Sequence, residues 1–428
     1  MTDEPRDSTG VTDEPLLSVK NLRTTFTTDQ EVVRAVDGVS FAVEPRQTIG
    51  IVGESGSGKS VTARSILGLV DNPGRVHPDS EIRYHDPAFV QQVARDYPDC
   101  VRRVDSGKTD DPADAFVTVE VGSGEGAAIT VSRGSVNLVA APDDVVRSVR
   151  GSEIAMVFQD ALSSLNPVYT VGNQIKELLA IHQGLSGAEA TEQAAALLES
   201  VGIPDPKRRL TEYPHQFSGG MQQRAVIALA LACNPSVLLC DEPTTALDVT
   251  IQAQILELLD RLQRERDLSI VFITHDMGVI AQIADAVTVM YAGEVVERAS
   301  VSRLFDQPKH PYTRGLLQSI PGLTSEVDRL PTIDGSVPTP NEPATYCRYA
   351  PRCPEAFQEC NNIHPEHVPV GDAPSDTESP EDAHGVVHTA ACLLYPESEP
   401  VETRLRNHHG PRESNGTGAG VDTMEERE

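Results

Sequence analysis

The sequence predicts an α/β fold organised on a mainly parallel sheet, and three observations carry that prediction. A glycine-rich loop, Gly53-Glu54-Ser55-Gly56-Ser57-Gly58-Lys59-Ser60, lies between the apolar run 48–52 and the helix-forming stretch 61–69. Short apolar segments at 153–158, 237–240, 270–274 and 287–291 alternate with segments of helical periodicity at 171–179, 188–201, 224–233 and 251–266. Gln159, Asp241, Glu242 and His275 stand at the C-terminal ends of those strands, where parallel sheets place their sites.

The 428 residues suffice for two or three domains. A net charge of −29, from 64 acidic and 35 basic residues, argues against nucleic acid as a partner, which needs a positive footprint. Lysine is scarce, and acid is spread through the folded region as well as the termini. That balance points to a high-salt cytoplasm, with acidic tails on an ordinary core as the competing reading. No stretch approaches the roughly 18 apolar residues of a membrane span, and residues 1–15 are polar, acidic and expected to be disordered, with no signal-peptide core. A cytoplasmic location is expected. Of seven cysteines, Cys347, Cys353, Cys360 and Cys392 fall in one C-terminal region, which in a cytoplasmic chain suggests metal before disulfide.

In chain order, residues 16–26 and 39–43 read as strands separated by a polar turn at 27–31, forming a small sheet beside the phosphate loop. Phe26 is placed either to stack on adenine or to fill that sheet's core. Residues 72–146 are punctuated by Asp, Gly, Ser and Pro and carry short alternating runs at 116–121 and 127–131, so they read as a β-rich region with an insertion. Within it Ser106-Gly107-Lys108-Thr109 mimics the end of a phosphate loop but lacks the upstream glycine, strand and following helix. After about residue 300 the chain is Pro-rich, and 396–428 is polar, acidic and expected to be disordered.

The strand–loop–helix setting of residues 53–60 is that of a phosphate-binding loop. Its glycines admit backbone N–H groups to phosphate oxygens at the positive end of a helix dipole, Lys59 reaches the β/γ-phosphates, and Ser60 suits Mg²⁺. The strand 237–240 ends in a pair of carboxylates: Asp241 suits Mg²⁺, and Glu242 suits a general base for an attacking water. A second anion-binding helix start follows Phe217 in Ser218-Gly219-Gly220-Met221-Gln222-Gln223-Arg224.

In order and context these motifs resemble the nucleotide-binding subunit of an ABC transporter. The matching pieces are a Walker A loop at 53–60, a Q-loop at Gln159, a signature at 218–222 and Walker B at 237–241 with Glu242 after it; a D-loop at Ala246-Leu247-Asp248 and a switch histidine at His275 complete the set. The resemblance covers about residues 16–300. It implies a P-loop ABC ATPase with a RecA-like parallel core, an antiparallel β-subdomain (72–146 with its insertion) and a helical signature subdomain (165–233). It further implies a head-to-tail dimer. In such a dimer Gly53, Glu54, Ser55, Gly56, Ser57, Gly58, Lys59, Ser60, Val61 and Phe26 bind one ATP, while Ser218, Gly219, Gly220, Gln222 and Asp248 serve the site shared with a second ATPase subunit. Catalysis falls to Glu242, His275, Gln159 and Lys59, with Mg²⁺ held by Ser60, Gln159 and Asp241.

Phe158-Gln159-Asp160 followed by Ser164-Leu165-Asn166-Pro167, together with His310-Pro311-Tyr312-Thr313, Leu316-Leu317 and Ile320-Pro321, are similar to the ATPases of dipeptide, oligopeptide and nickel importers. That likeness implies a C-terminal extension (301–395), two membrane permease subunits docking a short coupling helix at 164–171, an extracellular substrate-binding protein, and a peripheral position on the cytoplasmic face. Dipeptides or oligopeptides are the expected cargo, with nickel or another small solute as the alternative. Cys347, Cys353, Cys360 and Cys392 are read as ligands of a [4Fe–4S] cluster, which similar extensions can carry, with Zn²⁺ or unliganded thiols as alternatives. No tight C-x-x-C knuckle is present.

Overall fold

The structure is a computed structural model that describes residues 14–28, 31–104, 112, 114–124, 129–245, 247–320, 333–370 and 386–408. Residues 1–13, the phosphate-loop mimic 106–109, Ala246 and the tail 409–428 lie outside the described residues.

Numbered in chain order, the strands form two sheets. One holds β1 (Leu17–Thr27), β2 (Val32–Val43), β4 (Gly74–Val76), β5 (Glu81–Tyr84), β6 (Val101–Arg103), β7 (Val117–Ser123) and β8 (Thr130–Asn137), in the order β2-β1-β5-β8-β7-β6 with β4 on β1. It is antiparallel apart from the β6–β7 pair. The other holds β3 (Thr48–Val52), β9 (Ile154–Val157), β10 (Val237–Asp241), β11 (Ser269–Thr274), β12 (Ala286–Tyr291), β13 (Glu294–Ser300), β14 (Val368–Pro369) and β15 (Thr389–Ala390), in the order β14-β15-β13-β12-β3-β11-β10-β9. From β12 to β9 all neighbours are parallel.

The parallel strands read as unbroken apolar runs because both of their faces are covered. In β11, Ile270 and Phe272 face one core while Val271 and Ile273 face the other. The first core also takes in the helices Val171–Gln183, Gly187–Ser200, Gly219–Leu231 and Val249–Arg266. Local chemistry bounds them: Thr170 and Asp248 accept N-cap bonds from Asn173 and Ile251, and Gly184 ends the first helix at φ 67°.

Three expectations need correction, and one strand, β13, adds to them. β2 begins at Val32, so the first hairpin is longer than the 39–43 segment suggests. The region 72–146 contains the helices Pro87–Asp96 and Asp143–Val149 in addition to strands; Asp86 capping Phe89 N with Pro87 at the first position is the start signal. β13 was hidden because Glu297, an acid with 0 % exposure, interrupts its apolar pattern. The stretch 396–408 is ordered: it forms the helix Val401–Asn407, and the buried His408 accepts from Glu366 N. The extension's strands β15 and β14 continue the central sheet beyond β13.

Candidate active site

The phosphate loop leaves β3 and enters the helix Lys59–Ile66 through backbone that only glycine accepts comfortably. Gly53 has φ 154°, and a Cβ there would lie 2.1 Å from Met290 O; Gly58 has φ 100°, with Ala35 O 2.2 Å from the same position. No side chain caps that helix start. The buried Ser57 Oγ has no partner, and Lys59 Nζ donates to Gly53 O at 2.8 Å and Glu54 O at 3.0 Å. A buried ammonium satisfied by loop carbonyls, an uncapped helix N-terminus and an orphan hydroxyl together suit the phosphates of a nucleotide. Burial lowers the Lys59 pKa, with the charges of Glu242, Asp241 and Glu54 opposing the shift.

β10 lies two strands from β3 and places the acidic pair beside the loop. Ser60 Oγ donates to Asp241 Oδ1 at 2.8 Å, which brings together the two groups expected to hold Mg²⁺. Burial raises the Asp241 pKa, and the Ser60 bond counteracts it. Glu242 turns away from the strand at φ 47°, a left-handed conformation that costs on the order of 1–3 kcal/mol in a non-glycine residue. Its N–H donates to Ile273 O, tying the turn to β11. Its carboxylate is held on three sides: Gln159 Nε2 donates to Oε2 at 3.2 Å, Thr245 Oγ1 to Oε2 at 2.9 Å, and His275 Nδ1 lies 3.2 Å from Oε1. Burial alone would raise this carboxyl, but the bonds from Thr245 and His275 and the charge of Lys59 outweigh it and leave it below the usual range.

The other predicted residues are placed differently. Ser218 caps the helix Gly219–Leu231 without a side-chain bond, and Ser218 and Gly219 are exposed. Gly220 packs on the next long helix, where a Cβ would meet Ile251 at 2.7 Å. Gln222 points inward and donates to Pro214 O, so it braces the turn before Ser218. Asp248 is exposed and caps its own helix. Phe26 pairs with Val33 in the first hairpin and lies against Gly74.

The four C-terminal cysteines gather in one neighbourhood. Burial raises the Cys392 thiol pKa, and the charges of Cys347, Cys353 and Cys360 add to it; Cys347 is pushed up to about 12 by burial, with Cys360 and Cys353 contributing. Among the described residues no three His, Cys, Asp or Glu side chains converge to hold one metal ion.

Sequence reasoning missed what the His-Pro-Tyr segment does. Lys309 N and His310 N donate to the buried Glu297 carboxylate at 2.7 and 2.8 Å, and His388 Nε2 lies 2.8 Å from it. Tyr312 Oη, fixed by that anchor, accepts from Glu54 N in the phosphate loop at 2.9 Å.

Fold and site define a P-loop protein in which Ser60, Gln159, Asp241, Glu242 and His275 gather at the C-terminal ends of a parallel sheet. The chain matches the family model "ABC transporter" over residues 36–109 and 128–245, and the model "Oligopeptide/dipeptide transporter, C-terminal region" over 296–360. It is 41% identical over 382 residues to the oligopeptide transport ATP-binding protein AppD of Bacillus subtilis, covering 89% of this chain and 97% of that one. It is 44% identical over 352 residues to a Brucella abortus protein provisionally named as a peptide import ATP-binding protein, covering 82% and 91%. A solved dimer of a bacterial ABC transporter cassette, MJ0796, is 25% identical with a TM-score of 0.49, over 67% of this chain and 98% of that one. This chain therefore belongs to the ABC transporter ATP-binding proteins of the oligopeptide/dipeptide importer type. Among the described residues no helix is long and apolar enough to cross a membrane.

Proposed function

We propose that this chain is the ATP-hydrolysing subunit of an importer that takes up dipeptides or oligopeptides, bound peripherally at the cytoplasmic face of the membrane. The observation that carries the reading is the grip of Gln159, Thr245 and His275 on Glu242 beside the Lys59 loop. Residues 53–61 receive the phosphates, and Lys59 offsets their charge. Ser60 and Asp241, with Gln159 nearby, would hold Mg²⁺, which would supply positive charge against that developing on the β- and γ-phosphates. Glu242 accepts the proton of the water that attacks the γ-phosphorus as the bond to the leaving ADP oxygen breaks, and His275 and Gln159 keep its oxygens in position. Ser218, Gly219 and Gly220, exposed or half-exposed at a helix start, serve the nucleotide of a second ATPase subunit, with Asp248 at the same junction.

The permease subunits dock on the apolar groove lined by Leu67, Leu69, Met156, Phe158, Leu178 and Leu229, which Ser164 joins to the 164–171 segment with its exposed Val168 and Tyr169. The Cys347, Cys353, Cys360 and Cys392 group is assigned a [4Fe–4S] cluster. Such a cluster takes one thiolate at each of four irons and does not require convergence on a single ion. The acidic surface fits a high-salt cytoplasm, since the net charge of −29 is carried through the folded region as well as the termini.

Reconstitution with the two permease subunits tests this reading. ATP hydrolysis stimulated by a peptide-loaded extracellular binding protein is expected. Stimulation by a nickel-loaded one, or by no solute, would reassign the cargo, and Leu178→Asp is expected to abolish assembly while leaving ATP binding intact.

A further inference from the structure

We propose that Arg352 and Tyr312 of the C-terminal extension are positioning residues of the phosphate loop, holding Glu54 so that Lys59 and the loop amides are ready for ATP. The proposal rests on the reading of residues 53–61 as the ATP site. Arg352 Nη1 and Nη2 each lie 3.1 Å from a separate oxygen of the Glu54 carboxylate, the two-pronged geometry that gives an Arg–carboxylate pair its directionality. The Arg352 side chain is only 7% exposed. It is fixed from behind: Nε donates to Asp334 O at 2.8 Å, Nη2 to Ile333 O and Gly335 O at 3.3 Å, and Nη1 to Tyr291 Oη at 3.3 Å.

Glu54 is thus held at every polar group. Its side chain is on Arg352, its N–H on Tyr312 Oη, and its carbonyl on Lys59 Nζ. Tyr312 is itself wedged edge-on against Tyr291 and Tyr349, with centroids at 4.7 and 5.3 Å, and Tyr291 ends the strand next to β3. A loop that must present several amides to one anion loses affinity when its conformation is not fixed beforehand. The extension supplies that fixing from 258 (Tyr312) and 298 (Arg352) residues further along the chain.

The test is MgATP affinity, measured with a fluorescent ATP analogue on the full-length chain, for the unaltered protein, R352Q, Y312F, E54Q and the R352Q/E54Q pair, each with its thermal midpoint. Loss of a charge-assisted contact predicts that R352Q weakens binding about tenfold. Y312F should weaken it in the same direction, and R352Q/E54Q should bind no worse than E54Q alone. A purely architectural role predicts lower thermal midpoints with unchanged affinity. That result, or additive losses in the double variant, would overturn the inference while leaving the ATP site standing. No binding by the unaltered chain would overturn the ATP reading and this inference with it.

Discussion

His275 Nδ1 lies 3.2 Å from Glu242 Oε1, although the two residues follow different strands, β11 and β10. Their meeting depends on the parallel register that pairs Asp241 with Ile273, which brings the two strand ends level. His275 is expected to orient the carboxylate, since its side chain is 58% exposed and supplies little packing. His275→Ala should therefore lower ATP turnover by roughly 10²-fold or more, in keeping with general-base contributions. Steady-state phosphate release checks this, and the thermal midpoint should stay nearly unchanged.

The phosphate loop tolerates no side chain at its first glycine. Gly53→Ala places a Cβ 2.1 Å from Met290 O, and the backbone must move to relieve the clash. Overpacking of this kind costs about 1–3 kcal/mol. Thermal unfolding should show that loss, and ATP binding should weaken more than stability does if the displaced loop amides receive the phosphates as proposed.

Glu297 ties the extension to the central sheet. Burial raises its pKa, but the bonds from His388 and from the N–H groups of Lys309 and His310 outweigh burial and leave it lowered from 4.5. A carboxyl lowered in the folded state stabilises the fold above its unfolded pKa, and that contribution disappears as pH falls through the folded value. Stability should thus decline below about pH 4.5 more steeply in the unaltered chain than in Glu297→Gln. At neutral pH the variant should be less stable by about 1.5–3 kcal/mol, the range for hydrogen bonds to a charged group. Denaturant titrations at several pH values measure both effects.

What the sequence made legible follows from the range of the interactions. Residues 53–60 announce themselves because turn, helix start and lysine lie within eight positions. The strands 237–241 and 269–274 are legible because burial on both faces leaves unbroken apolar runs. Glu297 had the opposite effect, since a buried acid satisfied by N–H groups more than ten residues away looks like a surface residue. Thr245 went unnoticed beside Glu242 because its role depends on the φ 47° turn of its neighbour. The Arg352–Glu54 pair spans 298 positions and has no local pattern to mark it. The cysteines were legible as a group from spacing, but the arrangement of their sulfurs was not.

ATP turnover and ATP binding measured together on Glu242→Gln test whether Glu242 is the base of this site. The substitution keeps the side chain's size and can still meet Thr245 and Gln159, but removes the proton acceptor. Phosphate release is expected to fall by at least about 10²-fold with MgATP affinity within a few-fold of the unaltered chain. Undiminished phosphate release by the variant would contradict the assignment of Glu242 as the base and, with it, the account of how this site works.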